Sequence, residues 1–330
     1  MPKLQHTKLL QNSKNLLAFS AGGDSTALFF LLLENGISFD IAIVDYGVRE
    51  QSKDEVAYAK ELAQTYNLKC YLHSSPNITR NFEAKAREIR YSFFEDIIDK
   101  HNYNNLLTAH HLGDRFEWML MQFCKGAGCV ELAGMKAIQK RETYTLVRPL
   151  LHLDKQELLE YLNSNAKNYF EDETNQDTKY KRNEFRKHIT TPLLSKYLDG
   201  IKQSFSYIDE DVAELIKTTD IKKINKLTYF KSTKHTRSDI YAIDKIIKNL
   251  GYILSRYERE QLKTEKTTII SREIVVTKEH DFVFVAPYIK SQNIQKDIKE
   301  KMRKLKIEPK LRGYLSSDLE VLEFISLLLA

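Results

Sequence analysis

Ser20-Ala21-Gly22-Gly23-Asp24-Ser25-Thr26 places two glycines, three hydroxyls and a carboxylate directly ahead of an apolar run, Ala27 to Leu33. Glycines let a backbone approach an anion, hydroxyls and N–H groups donate to its oxygens, and the positive end of a following helix favours negative charge. The segment is therefore a candidate phosphate cradle. It lacks the G-x-x-x-x-G-K-S/T pattern, whose lysine serves γ-phosphoryl transfer, and it lacks the G-x-G-x-x-G spacing of dinucleotide sites. An ordinary strand-to-helix turn capped by Ser and Asp is the plainer reading of the same residues.

A second group lies in Thr108-Ala109-His110-His111-Leu112-Gly113-Asp114-Arg115-Phe116-Glu117. Asp114 and Glu117 are spaced i, i+3, which puts both on one face near the start of a helix. The adjacent histidines point to different faces and have no obvious third partner, so they do not read as a zinc site. Asp45 and Arg49 put an acid and a base at the end of another apolar run, where an ordinary turn is the alternative. Farther on, Lys179, Arg182, Asn183 and Arg186 form a basic stretch with two arginines at i, i+4; phosphate binding and a solvated charged helix both fit it.

These groups need elements to hold them. Leu16–Phe19, Phe39–Val44, Lys69–Leu72 and Asn105–Thr108 are short apolar runs, each followed by a loop and a helix-compatible segment, which predicts a doubly wound parallel sheet. In such sheets ligands bind outside the C-terminal strand edges, where the candidate residues fall. A helix is expected from Asp154 to about Asn165. A helical and α+β region follows, with a hairpin over Glu273–Val276 and Phe282–Val285. The organisation expected is an α/β domain over 1–200, a smaller α+β domain over 201–290 and a basic helical tail over 291–330.

With 330 residues, 42% of them hydrophobic, the chain can bury more than one core. The net charge of +6 is modest, but its basic residues bunch, which permits a polyanionic partner. Cys70, Cys124 and Cys129 form neither a C-x-x-C pair nor an even framework, and no signal-type segment or run of about 20 apolar residues occurs, so a cytoplasmic location off the membrane is expected.

The S-G-G-x-D-S type of loop resembles the PP-loop of ATP pyrophosphatases, with Ala21 in place of the first glycine. Four further segments strengthen the likeness. Asp45-Tyr46-Gly47-Val48-Arg49, with Ser52 and Glu55, resembles D-H-G-L-R-x-x-S-x-x-E. The segment Ala109 to Trp118 resembles A-H-H-x-x-D-Q-x-E-T, with Arg115 for glutamine and Trp118 for threonine, and with Gly113 where many relatives carry aspartate. Lys125-Gly126-Ala127-Gly128 and Leu132-Ala133-Gly134-Met135 resemble a loop that sets tRNA(Ile)-lysidine synthetases apart from other PP-loop enzymes. Glu171 to Asp177, leading to Arg182-Asn183-Glu184-Phe185-Arg186, resembles E-D-x-S/T-N-x-D…R-N-x-x-R. The likeness covers about residues 14–192 and, more faintly, the region through Pro287.

That resemblance implies ATP bound by Ser20, Ala21, Gly22, Gly23, Asp24, Ser25 and Thr26, with Asp24 and Asp114 holding Mg²⁺. It implies an enzyme that adenylates the wobble cytidine of an isoleucine tRNA with a CAU anticodon, then joins free L-lysine to C2. Glu117 is the first candidate for engaging the lysine amine, with Asp45 and Arg49 beside it. Arg87 is the candidate for steadying transition-state charge, and Arg148 is expected to face the site or the RNA. Lys179, Arg182, Asn183 and Arg186 are expected on the tRNA, and a homodimer is compatible with the sequence. A PP-loop tRNA thiolase is the rival reading, although its chemistry calls for paired cysteines or an iron–sulfur cluster.

Overall fold

Parallel strands buried on both faces are expected to be apolar throughout rather than alternating, and Leu16, Leu17, Ile41, Ala42, Leu106 and Leu107 are all fully buried. The computed structural model describes residues 2–47, 51–76, 78, 80–171, 181–290 and 294–329. It divides into two units, Met1–Asp209 and Glu210–Ala330.

In the first unit, helix α1 (Thr7–Gln11) precedes β1 (Asn15–Ala18), α2 (Gly23–Glu34), β2 (Phe39–Asp45), α3 (Gln51–Thr65), β3 (Cys70–Ser74), α4 (Phe82–His101) and β4 (Asn105–Leu107). Then come α5 (Leu112–Phe123), α6 (Cys129–Ala133), β5 (Ile138–Lys140), β6 (Thr145–Val147), α7 (Lys155–Ser164), α8 (Lys181–Phe185), a π-helical turn (Arg186–Thr190) and α9 (Thr191–Leu215). Among the described residues the strands form one sheet in the order β3-β2-β1-β4-β6-β5, parallel except for β5 against β6.

The chain winds outward from β1 through β2 to β3, then returns to place β4 on the other side of β1, so the strand order reverses between β1 and β4. That switch point is where open α/β sheets take ligands. Asn15 pairs with Asn105 across it, and the buried amide of Asn105 donates to Asn15 Oδ1 at 2.9 Å. The Asn15 amide in turn donates to the carbonyls of Leu10, Ser13 and Ser38. Unsatisfied buried amides are costly, so this pair fixes the register, and the loops after Ala18 and Leu107 leave the sheet side by side.

Helix α2 is buried from Ser25 to Leu32 and packs against α7, so the helix that opens on the phosphate-type loop is itself core. The boundary expected at 200/201 falls within α9, which bends at Tyr197.

The second unit carries β7 (Lys222–Ile224), β8 (Leu227–Lys231), α10 (Thr236–Asn249), α11 (Arg256–Thr264), β9 (Thr267–Ile270), β10 (Ile274–Glu279), β11 (Phe282–Pro287), α12 (Lys296–Lys304), α13 (Pro309–Ser317) and α14 (Leu319–Leu329). Its antiparallel sheet runs β7-β8-β11-β10-β9 among the described residues. Alternation sorts the side chains. Ile274, Val276, Val283 and Val285 join Ile243 and Ile247 of α10 on one face, while Val275, Phe284 and Ala286 join Met302, Leu315 and Val321 on the other. Each such side chain contributes about 1.5–3 kcal/mol relative to exposure. The segment read as a basic tail thus supplies, through α12–α14, one layer of this unit's core.

Candidate active site

The loop between β1 and α2 closes on itself. Ser20 and Ser25 hydroxyls lie 3.1 Å apart, the Ser20 N–H donates to Ser25 Oγ at 3.2 Å, and Ser25 Oγ donates to the Gly22 carbonyl. Ala21 is fully buried at φ 59°, a left-handed conformation that costs an alanine roughly 1–2 kcal/mol. The backbone geometry of a glycine is therefore kept without a glycine. Phe170 N–H donates to the Ala21 carbonyl at 3.0 Å, and Phe170 forms a bridge with Gly22, pinning the loop from a segment far along the chain.

Beside the loop, the start of α5 brings acidic residues into line. His111 is the N-cap: its Nδ1 accepts from the Gly113 N–H at 3.0 Å, and Asp114 accepts from the His111 N–H at 3.1 Å. A side chain at 113 could not fit this arrangement, because its Cβ would stand 2.8 Å from His111 Cε1. The His111 Nε2 faces Asp24 at 3.7 Å and Asp114 at 3.6 Å. Asp24 and Asp114 thus share one histidine at the switch point, as the sequence places them, and His111 is the member that spacing alone did not single out. A histidine one residue before a helix at that edge was the available signal.

Glu117, 1% exposed, lies one turn on and is paired with Arg182 Nε and, at 2.9 Å, with Arg186 Nε. The same two guanidiniums reach Asp114 Oδ1 at 2.9 and 3.4 Å. Arg182 and Arg186, read as tRNA contacts, therefore bind the carboxylates of α5 in this structure; Asn183 lies between them on α8. Burial alone would raise the Asp114 carboxyl, but His111, His110, Arg182 and Arg186 together hold it well below the usual carboxylate range. Burial also pushes the His110 imidazole down to about 4, against the raising effect of Asp114 and with further lowering by Arg148, Arg182 and Arg87. Its Nδ1 lies 2.9 Å from Thr108 Oγ1.

Asp45 belongs to a different wall. A cavity of about 350 Å³ opens next to the loop, lined among others by Ser20, Gly22, Asp45, Tyr46, Glu55 and Phe170. Tyr46 donates to the Ala86 carbonyl at 3.0 Å and meets Phe82 edge-on, so the tyrosine in the histidine position closes that wall against α4. Arg87 is exposed on α4, its guanidinium 4.8 Å from the Tyr91 ring. Arg148 is buried and donates to the Lys136 carbonyl at 2.7 Å, close enough to act on His110. Arg49 and Lys179 lie outside the described residues.

A divalent cation suits this donor set. Among the described residues Asp24 Oδ1 is buried without a hydrogen-bond partner, leaving a carboxylate oxygen free beside the phosphate-type loop. No group of three or more His, Cys, Asp or Glu among them is arranged to hold a metal by itself, so further ligands would have to come from a substrate's phosphates, as is usual for Mg²⁺. Cys124 and Cys129 are exposed and Cys70 is half-buried in β3. Among the described residues, no helix is long and apolar enough to cross a membrane.

Comparison with known proteins adds a separate line. A family model described as a PP-loop domain matches residues 2–193. The tRNA(Ile)-lysidine synthase of Helicobacter pylori is 42% identical over 312 residues, 94% of this chain and 90% of that one. That of Wolinella succinogenes is 41% identical, covering 94% and 95%, and that of Campylobacter jejuni 39%, covering 93% and 94%. Among solved structures, the tRNA thiolase NcsA from Methanococcus maripaludis superposes with a TM-score of 0.52 at 18% identity, covering 65% of this chain and 77% of that one, a likeness of fold alone.

Proposed function

This chain belongs to the tRNA(Ile)-lysidine synthase family, its first unit built on a PP-loop domain, and from that premise we propose that it ligates free L-lysine to C2 of the wobble cytidine in an isoleucine tRNA with a CAU anticodon. The observation that carries the reading is the meeting of Asp24 in the Ser20–Thr26 loop with Asp114 through His111 at the β1/β4 switch, with Glu117 tied to Asp114 by Arg182 and Arg186.

The chemistry follows from what each group offers. The loop's N–H groups and hydroxyls hold the β- and γ-phosphates of ATP, and the adjacent cavity of about 350 Å³ is large enough for the nucleoside. The cytosine C2 oxygen attacks the α-phosphorus and pyrophosphate leaves. That oxygen, a poor leaving group as a carbonyl, becomes a good one as part of AMP, so the ε-amine of lysine adds at C2 and AMP departs. Asp24 and Asp114 would hold Mg²⁺, which when bound supplies neutralising charge at the phosphates.

Lysine arrives mostly protonated, with a free amine pKa of about 10.4. Glu117 positions the ammonium group and Asp45 or Glu117 receives its proton. Arg87 steadies charge on the transferring phosphoryl group, and Arg49 assists on the lysine side. In this structure Glu117 and Asp114 are neutralised by Arg182 and Arg186. Incoming tRNA phosphates compete for those guanidiniums as the lysine amine competes for the carboxylate, so binding of one substrate frees the site for the other. Lys179 and Asn183 are further tRNA contacts, and tRNA affinity falls steeply with salt. A cytoplasmic setting and a homodimeric assembly complete the proposal.

Pyrophosphate release tests it with the CAU-anticodon tRNA, with and without lysine. Release that needs tRNA, with lysidine appearing only when lysine is added, is expected. Release independent of tRNA, or sulfur incorporation without lysine, sinks the reading.

A further inference from the structure

Helix α5 has two working faces. Asp114 and Glu117 look toward Arg182 and Arg186, while Arg115 and Trp118, also i, i+3, look toward the segment between α5 and β5. Arg115 is nearly buried, with 8% of its side chain exposed. Its Nε donates to the Ala133 carbonyl at 2.9 Å, and its Nη1 and Nη2 make a two-pronged contact with Asp209 at 3.0 and 2.5 Å. The guanidinium plane also covers the Phe205 ring at 4.3 Å. The Trp118 ring packs so closely on Gly134, at φ 68°, that a Cβ there would lie 3.2 Å from Trp118 Cδ1. Arg148 holds the Lys136 carbonyl, three residues beyond Ala133.

The segment is therefore gripped at Ala133, Gly134 and Lys136, whereas Lys125 and Gly126 at its other end are exposed. Arg115 joins this grip to α9, through Asp209 and Phe205. Glutamine, which stands here in the resembling motif, has neither the reach nor the fork for three such contacts.

We infer that Arg115, acting with Asp209, is a positioning residue that sets the Lys125–Gly134 loop for productive engagement of tRNA and leaves ATP binding untouched. The inference rests on the proposed function for its kinetic consequence, but not for its structural one.

The test uses the full chain carrying D209N or R115Q. Asp209 has a 57% exposed side chain, so D209N weakens the grip without opening the core. Backbone hydrogen exchange over residues 126–134 should quicken about tenfold in D209N and in R115Q, with exchange in β1 and β4 unchanged. With tRNA, kcat/KM should fall roughly tenfold while KM for ATP stays within about twofold, and D209E should recover part of the loss. Unchanged exchange over 126–134 in both variants would overturn the inference, as would equal losses toward ATP and tRNA. If the wild-type chain makes no lysidine, the proposed function falls, and the exchange measurement alone then decides whether Arg115 positions the loop. If R115Q does not fold, D209N decides.

Discussion

The backbone N–H of Gly113 donates to Nδ1 of His111 at 3.0 Å, which leaves the ring's proton on Nε2, the nitrogen that faces Asp24 and Asp114. The absence of a side chain at Gly113 lets the imidazole fold back over its own helix. Gly113→Ala should push the ring away and separate the two carboxylates from their shared partner. The expected result is a fold retained by circular dichroism and a loss of about tenfold or more in pyrophosphate release, since misplacing a positioned group by about 1 Å can cost that much.

The other side of the same cluster titrates. With its pKa near 4, His110 should stay neutral from pH 8 to 5, and its ring resonances should not move across that range. A histidine that binds its proton more readily unfolded than folded favours unfolding in acid. Its stabilising contribution is complete above about pH 6.5 and is lost as the pH falls toward about 4. Asp114 also has a lowered pKa, but its contribution disappears only at more acid pH, so the two are separable. Urea midpoints at pH 7.5, 5.5 and 4.5 should decline in the wild type and decline less in His110→Asn.

Much of this centre was legible before the structure. Strands β1, β2 and β4 announce themselves as apolar runs because both faces are buried, the edge strand β3 is a short apolar run with no buried residue, and the loop residues share a window of seven positions. The three-residue strands β5, β6 and β7 are defined by their pairing partners, which no local pattern reveals. Asp114 and Glu117 could be placed on one helix face by spacing, but their counter-ions come from 65 to 72 residues away. For that reason Arg182 and Arg186 read as surface cations. Arg115 is a sharper case: its sequence neighbours suggest a site residue, and only the fold shows that its fork is committed to Asp209, 94 positions on.

Glu117 tests the ion-pair centre directly. Removing a buried partner strands the opposite charge, a loss of about 3–5 kcal/mol when both partners are buried. Arg182 and Arg186 are partly exposed, at 40% and 28%, so Glu117→Ala should cost closer to about 2 kcal/mol. For a unit of this size that is a fall of roughly 4–8 °C in Tm. Glu117→Gln should also raise KM for lysine by about tenfold with little change in KM for ATP, and an unchanged lysine KM would remove Glu117 from the amine site.

Ala21 offers the last test, because its backbone and its side chain make opposite demands. The left-handed conformation at φ 59° favours glycine, but the methyl group is fully buried, and losing it removes apolar packing. The two effects are of similar size, about 1 kcal/mol each, so Ala21→Gly should shift stability by less than about 1 kcal/mol and leave ATP binding intact. Ala21→Val has no such compensation. A β-branched residue is a genuine outlier at positive φ, and its extra carbons would press on a loop already closed by Ser20, Ser25 and Phe170. The expected loss is about 2–4 kcal/mol together with ATP binding, measured by urea unfolding and nucleotide titration. Equal behaviour of the two variants would mean that the loop is looser than its hydrogen bonds imply, and that the phosphate cradle is not formed until the nucleotide arrives.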